Sequence, residues 1–156
     1  TAWKKGKFPT EKKGESKLLR GNFKVNYSAG LIKDYKQVLE NVNTKNFLVV
    51  DARSKERFLA EIPEPRKEVR NGRIPNAVSL PFTTLLNEIQ FKDKEELLLI
   101  FKKINPNNKV LVFSCGSGIT ACVLALGAEL LNNKNYSVYD GSWTEWGSKL
   151  ELPIEK

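Results

Sequence analysis

Val110-Leu111-Val112-Phe113-Ser114-Cys115-Gly116-Ser117-Gly118-Ile119-Thr120-Ala121-Cys122 is the stretch whose reading decides the fold. An apolar run of strand length ends at a cysteine, two glycines let the backbone turn sharply, and an Ala- and Leu-rich helix follows from Thr120 to about Leu131. The spacing therefore predicts a strand, a loop and a helix with a thiol at the junction. A helix start leaves backbone N–H groups unpaired, and a tight Gly-containing loop turns more of them inward, so an anion at Cys115 is stabilised there. A cysteine thiol has an ordinary pKa of about 8.5, and a helix N-terminus lowers it, which makes the sulfur a nucleophile near neutral pH. The competing reading is a small buried core residue, since cysteine is among the most buried residue types. The Gly-Ser-Gly that follows is what a plain core strand has no use for.

Outward from this stretch the same alternation repeats. Phe47-Leu48-Val49-Val50 is a short continuous apolar run, as in a strand covered on both faces, and Ser137-Val138-Tyr139 is a final short strand. Tyr35, Val38, Leu39 and Val42 recur at helical spacing within Leu31 to Val42. Helices are also predicted over Phe82 to Glu88 and over Lys94 to Ile104. Gly72 to Pro81 reads as a turn entering a short strand. Strands alternating with helices predict an α/β fold with a mainly parallel central sheet and helices on both faces. In the last helix Ser142 is placed to cap, with Trp143 and Trp146 packing beneath it. Gly127 and Ala128 imply close approach of a neighbour, and Cys122, two helical turns beyond Cys115, is expected to be buried.

The whole chain, 156 residues, is enough for one domain with a proper core and not for two of usual size. No run reaches the length that crosses a bilayer, so no membrane partner is expected. The chain contains no histidine and two cysteines, which excludes a Cys-His or Ser-His hydrolase built from this chain alone and argues against a structural zinc site. No metal and no cofactor is expected. Two cysteines do not make a disulfide framework, and a reducing intracellular setting, cytoplasmic or mitochondrial, is the expectation. The net charge of +8 is unevenly placed: Thr1 to Lys24 holds eight basic residues against Glu11 and Glu15. Without a nucleic-acid motif or aromatic interleaving, this segment reads as a solvated linker, and direct nucleic-acid binding is not expected.

Arg57 and Arg66 stand nine residues apart, with Pro63-Glu64-Pro65 between them holding the chain out of regular structure. A surface arginine is ordinarily just solvated, yet its planar fork suits a carboxylate better than lysine does. Asp51 and Arg53, at the end of the first long strand, read better as a structural ion pair than as chemistry.

Cys115-Gly116-Ser117-Gly118-Ile119-Thr120 resembles the active-site loop of the rhodanese-type sulfurtransferases, and of their 3-mercaptopyruvate branch in particular. The thiosulfate branch usually carries Arg and Lys after the cysteine, where this chain has Gly116 and Ser117. Asp51-Ala52-Arg53, Gly72-Arg73-Ile74-Pro75-Asn76-Ala77 and Asp140-Gly141-Ser142-Trp143 fit the same resemblance, in order, over residues 46 to 153. Arg73 departs from the histidine common at its position, one that is usually structural.

The resemblance implies that Cys115 is the catalytic nucleophile and carries a persulfide. It implies that Ser117 relays a proton, that the backbone of Gly116, Ser117, Gly118, Ile119 and Thr120 binds the anion, and that Arg57 and Arg66 hold the substrate. The implied donor is 3-mercaptopyruvate, with thiosulfate as the alternative. The implied acceptor is thioredoxin, a small thiol or a sulfur-carrier protein, the last as in fungal two-domain members that serve tRNA thiolation. Trp3-Lys4-Lys5-Gly6-Lys7-Phe8-Pro9 also resembles Trp146-Gly147-Ser148-Lys149-Leu150-Glu151-Leu152-Pro153. The expected organisation is therefore the tail of a preceding rhodanese domain plus a basic linker over 1–27, and a C-terminal catalytic rhodanese domain over 28–156. The missing first domain, which in the family supplies His and Asp residues, would complete the site.

Two other readings compete. In phosphatases of a related fold the cysteine is followed by five residues and an arginine, but Ala121 stands six positions after Cys115. A rhodanese module that only docks partners usually lacks the cysteine, which is present here.

Overall fold

A computed structural model describes residues 2–11 and 20–156. At its centre is a five-stranded sheet of β1 (Ile32–Lys33), β2 (Phe47–Asp51), β3 (Val78–Ser79), β6 (Val110–Ser114) and β7 (Tyr136–Tyr139), in the order β1-β7-β6-β2-β3 with every pairing parallel. The two long strands β2 and β6 pair along their whole length, Phe47 opposite Val110 through Asp51 opposite Ser114. Because successive side chains point to opposite faces, these strands feed two cores. On one face Val50, Leu111 and Phe113 pack with Leu97 and Phe101 of α4 (Lys94–Ile104) and Leu124 and Ala128 of α5 (Ala121–Leu130). On the other, Val49 and Val112 pack with Val38 of α2 (Tyr35–Thr44) and with Trp143 and Trp146 of α6 (Ser142–Ser148). Short α1 (Ala2–Lys5) and α3 (Lys55–Phe58) complete the helices among the described residues. No helix among the described residues is long and apolar enough to cross a membrane.

The α/β expectation holds, with three local corrections. The helix expected from Leu31 begins at Tyr35: residues 29–31 form a 3-10 turn, Ile32 and Lys33 join the sheet edge, and Asp34 starts the helix through a reciprocal capping box with Gln37. The helix expected over Phe82 to Glu88 is a 3-10 turn over Phe82–Leu85 followed by a hairpin of β4 (Leu86–Asn87) and β5 (Gln90–Phe91). Glu88 takes a positive φ of 55° at the hairpin turn, which a helix cannot contain. The third correction concerns Cys122, which is exposed rather than buried, its Sγ 3.4 Å from the Gly118 carbonyl. Gly127 does meet a close neighbour: a Cβ there would lie 2.8 Å from Leu85 Cδ1.

Candidate active site

The site forms where β2 and β6 end, side by side at the carboxyl edge of the sheet, the edge at which open parallel sheets collect ligands. The β6 backbone leaves the sheet at Cys115, and α6 holds it there. The Cys115 N–H donates to Ser142 Oγ at 3.0 Å, the Ser142 hydroxyl donates to the Tyr139 carbonyl at 2.9 Å, and Trp143 N–H donates to the Cys115 carbonyl at 2.9 Å. Ser142 is thus not the expected helix cap: with φ at +50° it is turned inward, fully buried, and clamps the cysteine's peptide. Thr144 continues the clamp, donating to the Gly116 carbonyl from both its backbone N–H (2.8 Å) and its hydroxyl (2.6 Å).

The remaining loop groups are left open. Among the described residues, none of the backbone N–H groups of Gly116, Ser117, Gly118, Ile119 and Thr120 has a hydrogen-bond acceptor. Gly118 makes the turn with φ of +84°, and a Cβ there would sit 2.8 Å from the Asp140 carbonyl oxygen. That position accepts little but glycine. A run of unpaired N–H groups leading into a helix is an anion-binding arrangement. Cys115 itself is 2 % exposed and packs against the α5 face of the core, so the thiol has few routes of approach.

Beside this loop lies a cavity of about 240 Å³ whose walls include Arg57, Glu64, Arg66, Gly116, Ser117 and Thr144. Of the residues singled out in the sequence, the structure brings Arg57, Arg66, Gly116 and Ser117 together at this cavity. Cys115, Gly118, Ile119 and Thr120 belong to the adjoining loop but do not line it. Arg57 lies so close that a Cβ on Gly116 would be 3.2 Å from its Nη2. Arg66 donates through Nη1 to the Thr144 hydroxyl, which ties it to the loop.

Asp51 and Arg53 play the structural part expected of them. Arg53 is fully buried, forks onto Asp51 (Nε–Oδ2 2.9 Å, Nη2–Oδ2 2.7 Å), donates to the Gly72 carbonyl at 2.8 Å and lies over the Trp143 ring at 4.6 Å. Its remaining nitrogen reaches a residue that sequence reasoning passed over. Glu64 accepts from Arg53 Nη1 at 2.9 Å and, on the cavity side, from Arg57 Nε at 3.1 Å and Nη2 at 2.5 Å. The signal available in the sequence was its position between Pro63 and Pro65, which fix the backbone on either side. Thr144, also passed over, follows directly on the Asp140 to Trp143 motif. The described residues hold no group of three or more acidic, Cys or His side chains that could bind a metal.

Residues 34–149 match the model of the rhodanese-like domain. The chain belongs to the rhodanese-like family. It is 42% identical over 135 residues to the mouse 3-mercaptopyruvate sulfurtransferase, covering 85% of this chain and 46% of that protein. It is equally, 42%, identical over 128 residues to the rat thiosulfate sulfurtransferase, covering 80% of this chain and 43% of that protein. Among solved structures, the Tum1 protein of Saccharomyces cerevisiae superposes with a TM-score of 0.81 at 27% identity, over 99% of this chain and 58% of that one. This rhodanese-like chain thus spans about half the length of the curated relatives it matches.

Proposed function

We propose that the chain is the Cys115-bearing domain of a sulfurtransferase that takes sulfur from 3-mercaptopyruvate and passes it to a thiol acceptor. The observation that carries this reading is the loop of five N–H groups, Gly116 to Thr120, unpaired among the described residues, that follows Cys115 and whose first two residues wall a cavity together with Arg57 and Arg66. In the proposed step the Cys115 thiolate attacks the donor sulfur. The carbon–sulfur bond breaks, its electron pair passes to the carbon as the enolate of pyruvate, and a proton delivered by way of Ser117 completes the methyl group. A persulfide remains on Cys115, where the loop N–H groups stabilise its negative charge before and after transfer. Arg57 and Arg66 hold the donor's carboxylate and keto oxygen.

Sequence identity does not choose the donor, since mercaptopyruvate and thiosulfate relatives are equally similar. The choice of mercaptopyruvate rests on Gly116 and Ser117, uncharged where the thiosulfate branch has Arg and Lys. The acceptor class follows from the chemistry: a persulfide sulfur is transferred by attack of a second thiolate, from a small thiol, thioredoxin or a sulfur-carrier protein. Delivery of that sulfur into tRNA thiolation rests on the resemblance to the fungal two-domain members alone. A preceding rhodanese domain is part of the same proposal, and the first residues support it. The Trp3 indole donates to the Pro9 carbonyl at 2.8 Å, as the Trp146 indole donates to the Pro153 carbonyl at 2.8 Å. Residues 12–19 of the proposed linker lie outside the described residues.

The test is intact-protein mass spectrometry after brief exposure to 3-mercaptopyruvate or to thiosulfate, in parallel with Cys115→Ser. One added sulfur from mercaptopyruvate, absent in Cys115→Ser, is the expected result. No added sulfur from either donor, in this chain and in a form carrying the preceding domain, would overturn it in favour of a docking module.

A further inference from the structure

Resting on that reading, we propose that Glu64 is the specificity-determining residue for donor charge: it holds Arg57 and cancels one of the two positive charges at the cavity, matching the site to a donor with one negative charge. The geometry is that of a relay. Asp51, Arg53, Glu64 and Arg57 form one line of alternating charge from the buried end of β2 to the cavity wall. Glu64 is 5 % exposed at its side chain, its backbone N–H donates to Asn71 Oδ1 at 2.9 Å, and its carboxylate accepts from both Arg53 and Arg57, which together hold it in place. Arg57 meets it through Nε and Nη2 together, the bidentate fork that fixes a guanidinium in plane. Nη1 is the edge left over; among the described residues it donates to nothing.

The charge count follows. Among the described residues the cavity walls carry Arg57, Arg66 and Glu64 as their charged side chains, a sum of one positive charge. Without Glu64 it would be two. Mercaptopyruvate with its thiol protonated carries a single carboxylate charge, whereas thiosulfate is a dianion. A fixed negative charge beside the site opposes the dianion twice as strongly as the monoanion, so its presence favours the monoanion. Glu64 acts on the donor through Arg57 and through the field, and is therefore a positioning residue.

Glu64→Gln removes the charge while keeping the shape. The measurement is kcat/KM for thiosulfate and for 3-mercaptopyruvate, with transfer to a small thiol, in the wild-type chain, Glu64→Gln and Glu64→Asp. Glu64→Gln is expected to raise the thiosulfate-to-mercaptopyruvate ratio by about tenfold, the order expected for one unit of charge in a partly solvated site. Glu64→Asp, which keeps the charge, restores the ratio towards wild type. Equal loss with both donors in Glu64→Gln, the ratio unmoved, would overturn the inference and leave Glu64 a structural group.

Burial makes Glu64→Gln a risk to folding, since Arg53 loses an ionic partner. Pro65→Lys adds a positive charge at the exposed cavity wall and keeps the Glu64 carboxylate, and Pro65→Ala controls for the loss of the proline ring beside it. Relative to Pro65→Ala, Pro65→Lys shifts the same ratio in the same direction, and an unmoved ratio also counts against a role for charge. Sulfur accepted from neither donor, by this chain and by a form carrying the preceding domain, would instead remove the reading on which the inference rests.

Discussion

Ser142, a short polar side chain in a strained backbone conformation, holds the peptide of Cys115 in place. Its φ of +50° is unfavourable for any residue with a Cβ, and in this conformation its hydroxyl is held between Cys115 N–H and the Tyr139 carbonyl. Two substitutions separate the terms. Ser142→Ala keeps the strain and leaves a buried N–H unpaired, a loss of about 1–3 kcal/mol. Ser142→Gly loses the same hydrogen bond but relieves the strain, so it is the milder of the two in urea unfolding. Both are expected to slow persulfide formation on Cys115 to a similar degree, because both free its peptide to rotate. An alanine variant as stable as wild type would show that the hydroxyl bond contributes nothing. The cysteine loop itself could be read from sequence because Gly-Ser-Gly is a local signal. Ser142 and Glu64 could not be read in these roles, since their partners lie 27 residues away at Cys115 and 7 and 11 residues away at Arg57 and Arg53, respectively. Such contacts exist only once the sheet has brought its strand ends together.

At the scale of elements, what was legible was periodic. The buried runs of β2 and β6 and the apolar stripe of α4 each carry one uninterrupted pattern, and the structure keeps their limits to within a residue. The region from Phe82 to Phe91 misleads because Leu85, Leu86 and Ile89 sit at helix-compatible spacing although a tight hairpin separates them. The 3-10 turn before it exists to place Leu85, fully buried, against Gly127 of α5. Junctions between elements carry testable chemistry too. The Tyr136 hydroxyl of β7 donates to Glu129 Oε1 of α5 at 2.7 Å, and burial, then that carboxylate, pushes the phenol up from 10 to about 12. The folded state therefore prefers the protonated phenol. Its contribution is complete below pH 10 and is lost as pH rises from 10 to about 12. Tyr136→Phe is expected to lower stability at neutral pH and to flatten the decline over that alkaline range, read from urea midpoints at each pH. An unchanged slope would mean that the phenol does not ionise differently in the two states.

For the whole molecule, the decisive comparison is between two copies of one local motif. The Trp3–Pro9 and Trp146–Pro153 turns share the indole-to-proline-carbonyl bond and begin from a helical turn. Among the described residues, only the second has a core beneath it. Trp146 is 0% exposed, edge-on to Tyr139 at 6.3 Å, and the segment after it is pinned by Arg70, whose guanidinium donates to the carbonyls of Gly147, Lys149 and Leu152. Trp3 is 56 % exposed and touches Phe8, itself half-exposed. The same hydrogen bond thus occurs with and without burial, and stability should follow the burial. Trp146→Ala is expected to cost about 3–5 kcal/mol, the range for emptying a large aromatic site, and to approach unfolding the chain. Trp3→Ala in the same chain should leave the urea midpoint unmoved. If a preceding domain of the same fold is joined to residue 1, as proposed, Trp3 acquires a core and the Trp3→Ala cost rises towards that of Trp146→Ala. Equal insensitivity of Trp3 in the short and the extended chains would separate the likeness of the two turns from any likeness of domains, and would remove the support they lend to a repeated architecture.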